Sequence, residues 1–163
     1  MDENVFLVSL FEHKAWCNRR LLETLRAAPA DVDRGGWIVV LFTVDHTANV
    51  DQIFKARLED AEPDLPNTVA RAMPDLDALA ERMAALDAWF IDYARRVTPA
   101  ELAEPVDFTF VDDAAPGRMT RGDILAHLIT HGAAHRGAIG KTLADLGVRG
   151  VSEMVTTFRR VEG

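Results

Sequence analysis

A single cysteine, Cys17, stands among 163 residues, which excludes an intramolecular disulfide and leaves no sign of an oxidising compartment. Glycine and proline are sparse, 10 and 7 residues, so the chain is neither collagenous nor a low-complexity linker. Basic residues are the minority charge: 18 Lys and Arg face 26 Asp and Glu, for a formal net charge of -8. A surface that neutralises phosphates needs the opposite sign, so nucleic acid is not an expected partner. No apolar run approaches the roughly 20 residues of a membrane span, and the opening MDENVFLVSLFEHK carries acid where a secretory signal needs base. The expectation is a cytoplasmic protein without a membrane partner.

What is present is enough to fold. Hydrophobic residues make up 48% and charged residues 27% of the chain, and this length suits one domain spanning 1–163. Apolar residues recur at helical spacing over about 3–27, through Val5, Leu10, Trp16, Leu21 and Leu25. After Pro29 and a break at Gly35 and Gly36, a second period runs through Ile38, Leu41, Val44, Ala48, Ile53 and Leu58. Pro63, Pro66 and Pro74 mark a surface connection, and Leu76 to Tyr93 read as a third helix. Thr98, Pro99 and Glu101 have the pattern of a short capped helix. Val106, Phe108 and Phe110 alternate as a strand before a turn-rich 112–117, and Thr120 with Asp123 opens a helix that lasts to Gly147. The predicted fold is all-α: an up-down-type four-helix bundle with long connections and a short β-hairpin before the last helix. The pattern leaves 148–163 open between packing on the bundle, covering a pocket and remaining loose.

Bundles build ligand sites from polar residues on facing helices, and histidine is the candidate here. His127, His131 and His135 follow one another at spacings of four in the last long helix. Each lies about 40° round and about 6 Å along from the last, so they form one stripe. Two such imidazoles can share a metal ion but three cannot, so a further ligand must come from another helix. His46, in the middle of the second helix, is the candidate. Three neutral imidazoles leave positions for water or substrate, as in catalytic rather than closed structural sites. Spacing alone is equally compatible with a packed histidine stripe and a hydrogen-bonded core histidine.

The string HLITHGAAHRG at 127–137, followed by Leu143 and Gly147, resembles the signature of the DinB/YfiT family of metal-binding four-helix bundles. His46, Asp51, Arg57 and Leu58 resemble that family's second-helix pattern, and Trp16 with Asn18 its first-helix W-x-N. The resemblance covers about 5–147. It implies His46, His131 and His135 as ligands of a divalent metal, zinc or nickel first and manganese or iron as alternatives. His127 falls one turn before the ligand pair, as a pocket-lining or supporting residue. The chain departs from the family in Gly36, Trp37, Ile38 and Val39 before the helix-two histidine and in its tail VRGVSEMVTTF.

Asp45 and Asn49 flank His46 and are candidates for orienting an imidazole or accepting a proton, with solvated helix positions as the alternative. Asp51 lies about 140° round from His46, which points it away from the metal toward a salt bridge or helix packing. Arg136 is expected to pair with an acidic group, Gly137 to allow close helix packing, and His13 to lie near the surface. Cys17 reads as a buried small hydrophobe or an extra ligand. The resemblance implies a small-molecule substrate and a homodimer. It also implies one of two activities, S-transfer from a low-molecular-weight thiol such as bacillithiol, mycothiol or glutathione, or metal-dependent hydrolysis. A metal-binding stress-response dimer without catalysis is the reading from a different class.

Overall fold

A computed structural model describes residues 4–150 and 153–162. Four long helices carry the fold: α1 (Val5–Arg26), α2 (Arg34–Leu58), α3 (Leu76–Arg96) and, after the short α4 (Pro99–Leu102) and a hairpin, α5 (Arg121–Asp145). The hairpin pairs β1 (Pro105–Thr109) with β2 (Pro116–Thr120), and α6 (Val155–Glu162) closes the described chain. This is the expected all-α bundle with a hairpin before its last long helix. The expected start of the first helix, near residue 3, lies outside the described residues. No helix among the described residues is long and apolar enough to cross a membrane.

Local chemistry sets the helix ends. Thr98 with Glu101, and Thr120 with Asp123, form reciprocal capping boxes at the starts of α4 and α5. In each, the hydrogen bonds from the threonine hold the acid below its usual carboxylate range. Asp33 caps α2 by accepting from the Gly36 amide at 2.8 Å, and this places Gly35 and Gly36 inside the first turn rather than in a break. At Gly36 a Cβ would meet Leu146 at 2.7 Å, so the glycine admits the end of α5. That end is a Schellman turn: Gly147 takes φ +73, its amide reaches Ala144 O, and the Val148 amide reaches Leu143 O. The hairpin ladder stops at Thr109 and Pro116, so Phe110 stands just past the strand in which it was expected.

Helix α1 lies mainly against α3, and α2 mainly against α5. Their shared core has two apolar halves. One gathers Leu21, Leu25, Val44, Met83, Ile139 and Leu143; the other gathers Phe11, Phe54, Phe90, Ile124 and Leu128 with the hairpin's Val106 and Phe108. Between these stretches each helix contributes buried polar residues, among them Lys14, Asn18, Asp51, Asp87 and Arg136. The described part of the tail packs on the bundle: Phe158 of α6 is buried against Trp16, and Arg159 donates to Ser9.

Candidate metal centre

His46 projects from α2 and His131 and His135 from successive turns of α5, the helix against which α2 mainly packs. One nitrogen of each ring lies within 4.8 Å of the other two, forming a half-buried group able to hold a metal ion. The rings of His46 and His135 are 4.9 Å apart and those of His131 and His135 4.4 Å apart, both edge to face. The Nε2 atoms of His46 and His131 face each other at 3.3 Å. Two nitrogens of a tetrahedral ion with bonds near 2.0–2.1 Å stand about 3.3 Å apart.

Protonation favours the same use. Burial first, and then the surrounding His135, His127, His46 and Lys14, push His131 down to about 3. His135 is lowered by burial and by His46, and His127 by burial. These imidazoles are therefore neutral near pH 7, the form a metal ligand requires. Converging imidazole nitrogens from His46, His131 and His135 and a matching Nε2 separation fit a divalent metal.

The remaining nitrogens are treated unequally. His46 Nδ1 lies 3.2 Å from the Thr68 carbonyl; a carbonyl only accepts, so Nδ1 carries the proton and Nε2 keeps its lone pair. His131 Nδ1 is buried without a hydrogen-bond partner among the described residues. Its ring is set by its neighbours instead, His127 at 5.2 Å, His46 at 5.2 Å and His135. His127 in turn packs edge-on against Phe54. Asn49 donates to the same Thr68 carbonyl at 3.1 Å and to Asp45 at 2.8 Å. Asp45 is engaged by Arg82 at 2.5 Å, so both residues flanking His46 support the loop and helix around it. Thr68 was not legible beforehand: it acts through its backbone, 22 residues from His46.

A second polar cluster lies beneath. Lys14, 2% exposed, donates to Asp51 at 2.5 Å and Asp87 at 3.3 Å. Burial alone would drive Lys14 toward the neutral amine, but the two carboxylates outweigh it and hold its pKa above the ordinary value. Asn18 donates to both oxygens of Asp87 and accepts from Arg136 Nη1 at 3.0 Å, and Arg136 Nε reaches Glu153 at 2.9 Å. Asp51 and Arg136 are thus in ion pairs, as their spacing suggested. Gly132 rather than Gly137 sits close against its surroundings: a Cβ there would stand 3.0 Å from Arg136 Nη1 and 3.5 Å from Lys14 Cε, whereas one at Gly137 meets nothing within 4 Å. Cys17 is buried beside His13, whose Nε2 is 3.4 Å from its sulfur, and it is not one of the three-histidine group. Burial pushes the Cys17 thiol up to about 11. His13 is half-buried, bonded to the Glu153 carbonyl at 2.8 Å.

A groove of about 490 Å³ between α1 and α3, lined by Ala15, Leu22, Ala84 and Ile91 among others, contains none of the three histidines. Set against known families, residues 23–139 match the model described as the DinB superfamily. This span includes His46, His131 and His135 and begins after Trp16 and Asn18. No curated protein and no solved structure matches the chain.

Proposed function

The chain belongs to the DinB superfamily, and from that premise we propose that it is a divalent-metal protein whose ligands are His46, His131 and His135 and whose activity is transfer of a low-molecular-weight thiol to a small electrophilic substrate. The observation that carries this reading is the facing pair of Nε2 atoms, 3.3 Å apart, with His135 beside them. Zinc and nickel suit imidazole donors, and manganese and iron are the alternatives. Bound there, the ion would supply Lewis-acid activation of a thiol, or of water if the reaction is hydrolysis.

The protein's own residues have definable parts in this. His46 keeps its proton on Nδ1, against Thr68, and so offers Nε2. His131 and His135 stay neutral because burial disfavours their cations. His127 and Phe54 form an aromatic wall beside His131 on one side of the group. Lys14 lowers the proton affinity of His131 further while remaining tied to Asp51 and Asp87.

A second reading, a non-catalytic metal-binding homodimer of the cytoplasm, has one observation in its favour. Among the described residues, no carboxylate is hydrogen-bonded to the three rings, and the nearest in sequence, Asp45, is occupied by Arg82 and Asn49. Elemental analysis of untagged protein, purified without a nickel column, tests the common premise. Near one metal per chain is expected in wild type and a small residue of that in His46→Ala. Wild type that carries none and gains none on reconstitution overturns both readings. Incubation of metal-loaded protein with each of the three thiols and an epoxide or halogenated acceptor then separates them: conjugation that is lost in His131→Ala supports the transferase, and no conjugate with any thiol rules it out.

A further inference from the structure

Resting on the reading of His46 as a metal ligand, we infer that Asp112, in the turn of the β1–β2 hairpin, is a positioning residue for that ligand and acts through Thr68.

The orientation of His46 depends on one backbone carbonyl, because Thr68 O is the acceptor that keeps the imidazole proton on Nδ1 and turns Nε2 toward His131. That carbonyl belongs to the connection between α2 and α3, which has no helix or strand of its own. Left to itself such a segment samples many conformations, and the carbonyl would move with it. Asp112 removes that freedom at the residue concerned. One carboxylate oxygen accepts from the Thr68 amide at 2.9 Å and the other from the Thr68 hydroxyl at 2.8 Å. These are two charge-assisted bonds to a single residue, which fix its direction as well as its place.

The clamp itself is anchored on the ligand's own helix. Phe108 of β1 packs edge-on against Phe54 of α2, with ring centres 5.5 Å apart, and Arg57 of α2 donates to the Thr109 carbonyl at 3.2 Å. A closed circuit results: α2 holds the hairpin, the hairpin holds Asp112, Asp112 holds Thr68, and Thr68 returns to His46 on α2. Asn49 closes the carbonyl's other side at 3.1 Å. The hairpin, too small to contribute a sheet, is thereby given a task in the metal centre. Asp112 is exposed and supplies no donor to the group, so its removal alters how His46 is held and not which atoms can bind.

Two readouts test this. In metal-free protein, long-range proton–nitrogen NMR of the His46 ring is expected to show the Nδ1-protonated tautomer in wild type and a mixture of tautomers in Asp112→Ala. In a competition titration with Zn²⁺, Asp112→Ala is expected to bind about tenfold more weakly, at the lower end of the effect of removing an outer-shell partner. The Co²⁺ absorption spectrum should shift with it. Asp112→Asn, which still accepts from the amide and can donate to the hydroxyl, should recover most of the affinity and the tautomer. Thr68→Val, which loses only the hydroxyl bond, should move both readouts partway. A wild-type tautomer and wild-type affinity in Asp112→Ala would overturn the inference while leaving the metal site standing. Wild type that binds no Zn²⁺ yet loses its His46 tautomer preference in Asp112→Ala would support the clamp and overturn the metal reading.

Discussion

Helices α2 and α5 serve two polar clusters that are opposite in design. In the lower cluster every polar group is answered and all but the half-buried Glu153 are buried: Lys14 by Asp51 and Asp87, Asn18 by Asp87 and Arg136, and Arg136 by Glu153. The histidine cluster holds rings whose nitrogens converge with too few partners among themselves. Burying charge is tolerable only when pairing is complete, so the first cluster is closed chemically as well as sterically. Neutral donors cost less to leave half-exposed, and converging lone pairs leave a place for a cation. The comparison teaches that polarity inside a bundle marks a ligand site where it is left incomplete, not where it is densest.

The largest effect should come from breaking the closed cluster. Lys14→Met leaves Asp51 and Asp87 as buried carboxylates without their cation, and a loss of about 3–5 kcal/mol is expected. Urea unfolding and calorimetry would show it, with a fall in Tm of roughly 10 °C. A loss below about 1 kcal/mol would mean that water reaches the layer. Next in size is the open cluster's response to its ion. At a hundredfold excess of Zn²⁺ over its Kd the metal should stabilise wild type by about 2.7 kcal/mol, reversibly with chelator. The shift should vanish in His135→Ala and persist in Lys14→Met, and a shift lost in both would mean that the two clusters are not separable.

Two of the glycines of α5 sharpen the contrast at about 1 kcal/mol or less. Gly137→Ala adds a methyl in open space on a helix and should stabilise by about 0.5–1 kcal/mol. Gly132→Ala presses on Arg136 Nη1 and should destabilise despite the same gain in helix propensity; equal signs in thermal melts would refute the crowding. The last contrast is a slope with pH at the edge of the closed cluster. The Cys17 thiol is raised to about 11 by burial, whereas in the unfolded chain it ionises near 9. The unfolded state therefore loses its proton first, and stability should decline as pH rises from about 9 to about 11. The decline should be shallower in Cys17→Ala, and a thiol reagent at pH 8 should label the native protein slowly.

The four long helices, the capping boxes at Thr98 and Thr120 and the histidine stripe were legible in the sequence because each rests on local spacing, and the choice of His131 and His135 as partners of His46 came from the family resemblance; the Asp33 and Asp75 caps and α6 were not read. Thr120 and Asp123 are three residues apart, His131 and His135 one turn apart, and His46 alone among the helix-two residues offered a matching donor. What could not be read depends on contacts between distant segments. Thr68 and Asp112 are separated by 44 residues and meet through a backbone amide, which no side-chain pattern announces. Gly137, beside the motif arginine, was expected to allow close packing, yet the side of α5 that meets α1 is set by the bundle and not by the motif, and Gly132 lies there instead. The burial of Asp51 opposite Lys14 shares this character: spacing pointed Asp51 away from the imidazoles without naming its partner 37 residues earlier.

The charged layer across the core also works as a vernier. Apolar side chains would tolerate α5 sliding along its neighbours, since one leucine contact resembles the next. A slide of one turn, about 5.4 Å, would instead pull Arg136 from Asn18 and strand a guanidinium in the interior, at several kcal/mol. The same slide would carry His131 past His46. The one alignment of the four helices that satisfies the buried ions is therefore the alignment that brings the imidazoles together.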